Sequence, residues 1–324
     1  MTALTDRFSD WGSRAQLMTL ADNADQVERD AICFGTAPVA AGLEDERAGG
    51  VYNDEAIELA PDNKDDWQVV DEVIEIAEGG TIEEIQERST LLGQNYPFIL
   101  DGAALRYRPS QTGVYEFCLA ASLTTSIKRK PFNRIPVEFE RVAADVVRQY
   151  MGTGSIALRT GWPSHDRDER PIKLKALARK LHEQTGEWHW SPRPPNPDDP
   201  HHRKAKDAGV DFVVWTPMPD LRPGKLFLLG QCACGNDWDT KLDEPNQKEL
   251  DRWFRPATVA PFVKAFAMPR PITSQGVFAE MGTLSRSVVF DRMRITALAE
   301  ANPTAFAHWK ARLDRLTALV IPAD

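Results

Sequence analysis

The sequence predicts a soluble α/β protein, and three observations support this fold class. Apolar residues recur at helical spacing in several segments, most clearly over 137–151. The run 210–215 is rich in β-branched and aromatic residues and the run 226–229 is fully apolar; they flank a turn rich in Pro and Gly, which predicts a hairpin. The composition, with 42% hydrophobic and 27% charged residues, is that of an ordinary globular protein.

Length and charge predict two domains. A chain of 324 residues favours two units, and the basic segment Lys-Arg-Lys-Pro at 128–131 marks the expected boundary. We therefore expect an acidic, mainly helical N-terminal domain over 1–130. A second domain with a helical C-terminal extension is expected over 131–324.

The location is expected to be cytoplasmic. No apolar stretch approaches the roughly 18 residues of a transmembrane helix, and the N-terminus lacks the pattern of a signal peptide. The four cysteines do not form a disulfide pattern, which favours a reducing compartment. They are Cys33, Cys118, Cys232 and Cys234.

The charges are divided unevenly. Residues 1–105 hold 23 acidic and 6 basic residues, a net charge of −17, so the remainder carries +8. This asymmetry indicates that the second half could contact phosphate, whereas the acidic half is a candidate surface for a protein partner. The alternative is that both surfaces are merely solvated. The sequence leaves homo-oligomer formation open.

In the first half, helical spacing predicts a helix over 65–78 that the glycines at 79–80 end. A capping-box pattern then predicts a second helix over 81–92. The segment 96–100 is expected to be extended, and 114–127 is expected to form a mostly buried helix.

In the second half, a helix over 137–151 precedes a short strand at 156–160 and a basic amphipathic helix at 171–185. The hairpin strands lack alternation of apolar and polar residues, which indicates a sheet covered on both faces. A final helix is expected over 303–319.

Two polar residues stand at the ends of the predicted hairpin. Asp211 begins the first strand, and Gln231 follows the second. Because the start of one antiparallel strand lies beside the end of its neighbour, these side chains can meet. A carboxylate and a carboxamide can hold a hard cation, which lowers the pKa of bound water and stabilises charge on a phosphoryl oxygen. The alternative is that Asp211 caps a turn and Gln231 simply ends a strand.

Three sequence features resemble the Mrr-like restriction endonucleases of the PD-(D/E)XK nuclease superfamily. They are the pair Phe139-Glu140 on a helix, the run Asp-Ala-Gly-Val-Asp at 207–211, and the strand end Gln231-Cys232. The resemblance covers about a hundred residues, 137–235. It implies a restriction-endonuclease-like core, a mixed sheet flanked by helices.

The resemblance also implies an activity: hydrolysis of DNA phosphodiester bonds with Mg²⁺ or Mn²⁺, in restriction or anti-phage defence. Asp211 would be the principal metal ligand, with Gln231 as its partner and Cys232 beside them as a third candidate. Glu140 would be the supporting carboxylate.

One departure from the family pattern concerns the lysine that should follow the Gln by two residues. Ala233 occupies this position. We expect Lys241, ten residues beyond Gln231, to supply the charge, with Lys206 as a second candidate. The alternatives are an inactive nucleic-acid-binding or assembly subunit, and an interaction protein whose acidic half contacts a partner.

Basic residues in 173–206 are predicted to contact the phosphates of nucleic acid. They are Lys173, Lys175, Arg179, Lys180, Arg203 and Lys204. The aromatic cluster 188–190 (Trp-His-Trp) could stack on unpaired bases. The alternatives are solvated lysines and aromatic residues that belong to the core.

The cysteine pair allows two further hypotheses. Cys232 and Cys234 with His201 and His202 could bind zinc, or a cysteine could act as a nucleophile. The tight Cys-x-Cys spacing and the lack of a second pair favour small buried cysteines instead.

Overall fold

A computed structural model describes residues 11–39, 79–124, 128–160, 174–194, 209–220, 222–235 and 238–322. It shows a mixed α/β protein with two sheets. None of the helices within these ranges is both long enough and apolar enough to cross a membrane.

The described part of the first half consists of helices around a small antiparallel sheet in the order β1-β3-β2. Its elements are α1 (Trp11–Phe34), β1 (Thr36–Pro38), α2 (79–92), β2 (Phe98–Asp101), β3 (Ala104–Tyr107) and α3 (Val114–Leu123).

The second half contains a five-stranded mixed sheet flanked by helices. Its elements are α4 (Ile135–Tyr150), β4 (Ile156–Arg159), α5 (Leu174–Thr185), β5 (Phe212–Trp215), β6 (Phe227–Cys232), α6 (Gln247–Trp253), β7 (Val263–Ala267), α7 (Gln275–Ser285), β8 (Ser287–Phe290), α8 (Arg292–Glu300) and α9 (Pro303–Thr317).

The strands of this sheet lie in sequence order, β4-β5-β6-β7-β8. β5 runs antiparallel to both β4 and β6, whereas β7 runs parallel to β6 and β8 parallel to β7. The start of β5 therefore lies beside the end of β6, since Phe212 pairs with Gly230.

Helices cover both faces of the sheet. On one face, a core around α4 includes Phe212 and Cys232, together with residues of α3, α8 and α9. On the other face, α5 and α6 pack on Val213 and Leu229. Every residue of β5 and β6 is buried, so the expectation of a sheet covered on both faces is confirmed.

Gly230 is the small residue that this packing requires. A Cβ atom at this position would lie only 2.0 Å from the ring of Phe212 on the neighbouring strand. A glycine inside a strand commonly marks such a close approach. The glycine thus allows the aromatic ring to cross directly over β6.

A buried charge network joins the two halves of the chain. Arg292 of α8 donates two hydrogen bonds of 2.7 Å to the carboxylate of Asp25 in α1. Arg88 of α2 donates to the same carboxylate at 2.8 Å, and Glu28 accepts from Tyr96 and Tyr115. Part of the acidic excess of the first half is therefore neutralised internally.

Several element predictions are confirmed with small changes in their ends. The hairpin, the strand at 156–160 and the helices at 137–151 and 303–319 all form. The prediction that the glycines at 79–80 end a helix is wrong, because both lie within α2. The helix expected at 65–78 falls outside the described residues.

Candidate functional site

Asp211 lies at one end of the inner strands of the sheet, where β5 begins and β6 ends. Its backbone nitrogen donates to the carbonyl of Gly230 at 2.8 Å, and its own carbonyl accepts from Thr160 at 2.8 Å. Its carboxylate Oδ2 accepts a hydrogen bond from the backbone nitrogen of Cys232 at 2.7 Å. The side chain is thereby fixed across the end of the neighbouring strand, and it remains half-buried.

Gln231 is the neighbour of Asp211 on β6. Asp211 contacts the residues on either side of Gln231, Gly230 and Cys232. The Gln231 side chain is only 5% exposed, and its Nε2 donates weakly to the carbonyl of Cys232 at 3.3 Å. Its Oε1 has no hydrogen-bond partner in the described part of the chain. A buried acceptor without a donor carries a desolvation cost of about 1–3 kcal/mol.

Glu140 reaches the same end of the sheet from α4. Its Oε2 accepts a hydrogen bond of 2.7 Å from Nη2 of Arg159, the last residue of β4. Both side chains are largely buried, at 14% and 10% exposure. Arg159 pairs with Phe212 in the sheet, so its side chain lies on the face that α4 covers. This ion pair anchors the helix over the start of β5.

Burial and nearby charges shift the pKa values of the two thiols near the end of β6. Burial raises the pKa of Cys232 well above its usual value, and the carboxylates of Asp211 and Glu140 raise it further. Burial likewise raises the pKa of Cys234, with Glu140 adding to the shift and Lys241 opposing it.

The region of Ala233 and Lys241 differs from the family pattern. Ala233 is 2% exposed and belongs to an apolar cluster with Trp238 and Phe266. Trp238 begins the short 3-10 turn Trp238–Lys241, which carries Lys241. The small side chain at position 233 leaves room for the indole that anchors this turn. We call Glu140, Asp211 and Gln231 the strand-end cluster.

The strand-end cluster offers a small set of oxygen ligands. Within the described residues, no three or more His, Cys, Asp or Glu side chains are grouped as a metal site. Mg²⁺, however, is commonly held by only one or two carboxylates with waters and substrate phosphates. The carboxylate of Asp211 and the partnerless oxygen of Gln231 are ligand types that fit this chemistry. The thiol of Cys232 instead belongs to the apolar core beneath α4.

A second feature lies on the other face of the sheet, where α5 and the aromatic segment 188–190 line a cavity of about 500 Å³. Lys175, Arg179 and His182 follow one stripe of α5 along this cavity and are exposed. The opposite stripe of the helix is buried against the sheet. Two of the predicted phosphate-contacting residues are thus brought next to the aromatic cluster.

Other predicted residues are not brought to these sites by the described structure. Lys180 lies on α5 and is half-buried. The remaining candidates lie outside the described residues: Lys173, Lys206, Arg203, Lys204, His201 and His202. The phosphate-contact, substitute-lysine and zinc hypotheses that use them stay predictions.

Arg159 is a site residue that the sequence did not reveal. It stands at the end of a predicted strand, but no motif links it to Glu140, which lies 19 positions earlier. Only the packing of α4 on the sheet brings the two side chains together.

Comparison of the chain with models of protein families, with curated proteins and with solved structures finds no significant match. The functional assignment therefore depends on the geometry of the strand-end cluster and on the sequence motifs that it contains.

Proposed function

We propose that this protein is a divalent-metal-dependent nuclease that hydrolyses phosphodiester bonds of DNA on a PD-(D/E)XK-type core. Two observations carry the proposal: the carboxylate of Asp211 is fixed by the backbone of Cys232, and the preceding residue, Gln231, has a buried oxygen without a partner in the described part of the chain. A mixed sheet flanked by helices is also the architecture expected for such a core. A cytoplasmic role in restriction or anti-phage defence extends this proposal.

Asp211 and Gln231 would hold Mg²⁺ or Mn²⁺ through their side-chain oxygens. When bound, the ion supplies a water of lowered pKa and stabilises charge on the phosphoryl oxygens. The hydrogen bond from Cys232 to Asp211 holds one carboxylate oxygen in place, so the ligand needs little rearrangement.

Lys241 and Glu140 complete the proposed chemistry. The ammonium of Lys241 would stabilise negative charge that develops on the phosphate, in place of the family lysine at position 233. Glu140, held by Arg159, would orient a water or the Lys241 ammonium. One lysine can take over from another because the position of the charge in space, not its position in the sequence, determines its effect.

The basic stripe of α5 would hold the DNA backbone. Lys175 and Arg179 are exposed, and contacts to phosphate release counterions and strengthen binding. The excess of negative charge in the first half would keep that surface away from the duplex.

The test is a plasmid-nicking assay on the full chain with Mg²⁺, with Mn²⁺ and with EDTA. We expect nicking that EDTA abolishes and that Asp211→Asn abolishes. Asp220→Asn is the matched control, since Asp220 is an exposed aspartate at the hairpin turn. Cleavage that persists in EDTA, or equal cleavage by Asp211→Asn, contradicts the proposal.

A second candidate function is that of an inactive nuclease-fold subunit that binds nucleic acid. The apolar surroundings of Ala233 favour it, because a lysine at this position would be buried against Trp238 and Phe266. This alternative would be established if the protein binds DNA but does not nick it with either metal, and if the Lys241→Ala variant behaves in the same way.

A further inference from the structure

The cavity beside α5 combines cations with aromatic walls. Lys175 and Arg179 lie on one side, and Trp188, His189 and Trp190 lie on the other. Its volume of about 500 Å³ is within the usual range for small-ligand pockets. Cations beside flat aromatic surfaces suit a ligand that carries both a phosphate and a planar ring.

Trp188 holds the aromatic segment of the pocket in an unusual conformation. The side chain of Trp188 is fully buried, and its Nε1 has no hydrogen-bond partner in the described part of the chain. Buried indole N–H groups usually find an acceptor. Trp188 also has a φ of 63°, a strained value for a bulky side chain. The chain thus holds a fully buried tryptophan of the pocket lining in an unfavourable backbone conformation.

The aromatic wall is rigid before any ligand binds. Trp188 donates its backbone N–H to the carbonyl of Ala257 at 2.7 Å, and Ser191 donates to Trp253 at 2.8 Å. The ring of Trp190 stacks on that of Trp253, with centroids 5.7 Å apart and an angle of 10° between the planes. A flat surface that is already ordered binds another ring without a large loss of conformational freedom.

We infer that this pocket binds one unpaired nucleotide, with its base against the aromatic wall and its phosphate at Lys175 and Arg179. A base stacked within a duplex cannot reach such a wall, so the nucleotide must be unpaired or extruded. The inference rests on the proposed function, because the nucleotide would belong to the DNA strand that the nuclease binds.

The test measures binding by fluorescence anisotropy in EDTA, so that cleavage plays no part. The probes are a labelled, fully paired duplex and the same duplex with one unpaired thymidine. We expect the second to bind about tenfold more tightly, as one base–aromatic stack would provide. Lys175→Ala and Trp190→Ala should remove this preference. Arg315→Ala, at an exposed arginine of α9, should keep it.

Because Trp190 packs on Trp253, Trp190→Ala is checked for folding by thermal unfolding, and Trp190→Phe should retain most of the preference. Thymidine 5′-monophosphate is the second probe. If this nucleotide binds and Lys175→Ala removes the binding, the pocket is supported and its ligand can be a free nucleotide. Equal affinity for both duplexes, together with no binding of the mononucleotide, overturns the inference.

The binding and nicking assays distinguish failure of this inference from failure of the proposed nuclease activity. A protein that prefers the unpaired thymidine but does not nick plasmid keeps the pocket and loses the nuclease. A protein that nicks with Mg²⁺ but binds both duplexes equally and does not bind the mononucleotide keeps the nuclease and loses the pocket.

Discussion

The carboxylate of Asp211 accepts a hydrogen bond from the backbone nitrogen of Cys232 at 2.7 Å, across the edge of the sheet. This bond fixes a half-buried acid at the point where β5 begins and β6 ends. The side chain therefore has two roles. One oxygen accepts the hydrogen bond that stabilises the strand end, and the negative charge would bind the metal in the proposed chemistry.

The first prediction separates these roles. Asp211→Asn keeps an oxygen that can accept from Cys232 but removes the negative charge. We expect a folded protein whose nicking rate falls by a factor on the order of 10² or more, because a neutral amide binds the metal poorly. Circular dichroism and the nicking assay measure the two effects. A wild-type rate in Asp211→Asn would rule out this residue as the principal ligand.

The second prediction concerns the substitute lysine. Lys241→Met should lower kcat by about 10²-fold or more and leave DNA affinity nearly unchanged, since its charge acts on the transition state. Lys248→Met, at an exposed lysine on α6, is the matched control. If Lys241→Met is fully active, Lys206→Met is the next variant, because the sequence offers it as the other candidate.

The third prediction concerns the salt dependence of DNA binding. Lys175→Ala and Arg179→Ala should each reduce the slope of log K against log salt by about 1, since each removes one phosphate contact. The measurement is DNA affinity of the full chain across a salt series, with Arg315→Ala as the control. An unchanged slope in both variants would show that α5 does not contact the backbone.

The fourth prediction concerns acid stability. Arg292 and Arg88 offset the burial of Asp25 and lower its pKa from the usual 3.8 to about 2. A depressed carboxyl pKa contributes stability that is present above about pH 4 and is lost as the pH falls towards 2, worth about 2 kcal/mol. Unfolding by urea at pH 7 and pH 3 should show about half of this loss, because pH 3 lies between the two pKa values.

Asp25→Asn is the control for the acid prediction. It should be destabilised at pH 7 by roughly 3–5 kcal/mol, because two buried arginines lose a charged partner. It should also lose less stability between pH 7 and pH 3 than the wild type does. Parallel losses in both proteins would assign the acid sensitivity to other groups.

The fifth prediction tests the contact that brings β5 and β6 together. Gly230→Ala places a Cβ atom against the ring of Phe212 and should lower the free energy of unfolding by about 1–3 kcal/mol. Gly276→Ala, in α7, meets only an ordinary contact at 3.9 Å and should be neutral or stabilising. Denaturant midpoints of the two variants give the comparison, and equal midpoints would refute the steric role of Gly230.

The sequence by itself determined the local elements around the proposed site. Continuous apolar runs specify the buried strands 212–215 and 227–232, and the turn residues between them specify the hairpin. Antiparallel pairing then follows, so the meeting of Asp211 with the end of β6 could be predicted. Helical periodicity likewise specified α4, which carries Glu140.

Only the tertiary structure decided which distant residues meet. The pairing of Glu140 with Arg159, and of Asp25 with Arg292 across 267 positions, leaves no periodic signal in the sequence. The same holds for the parallel strands β7 and β8 and for the stacking of Trp190 on Trp253. Local patterns encode which face of an element is buried, whereas long-range partners depend on how the buried faces pack together.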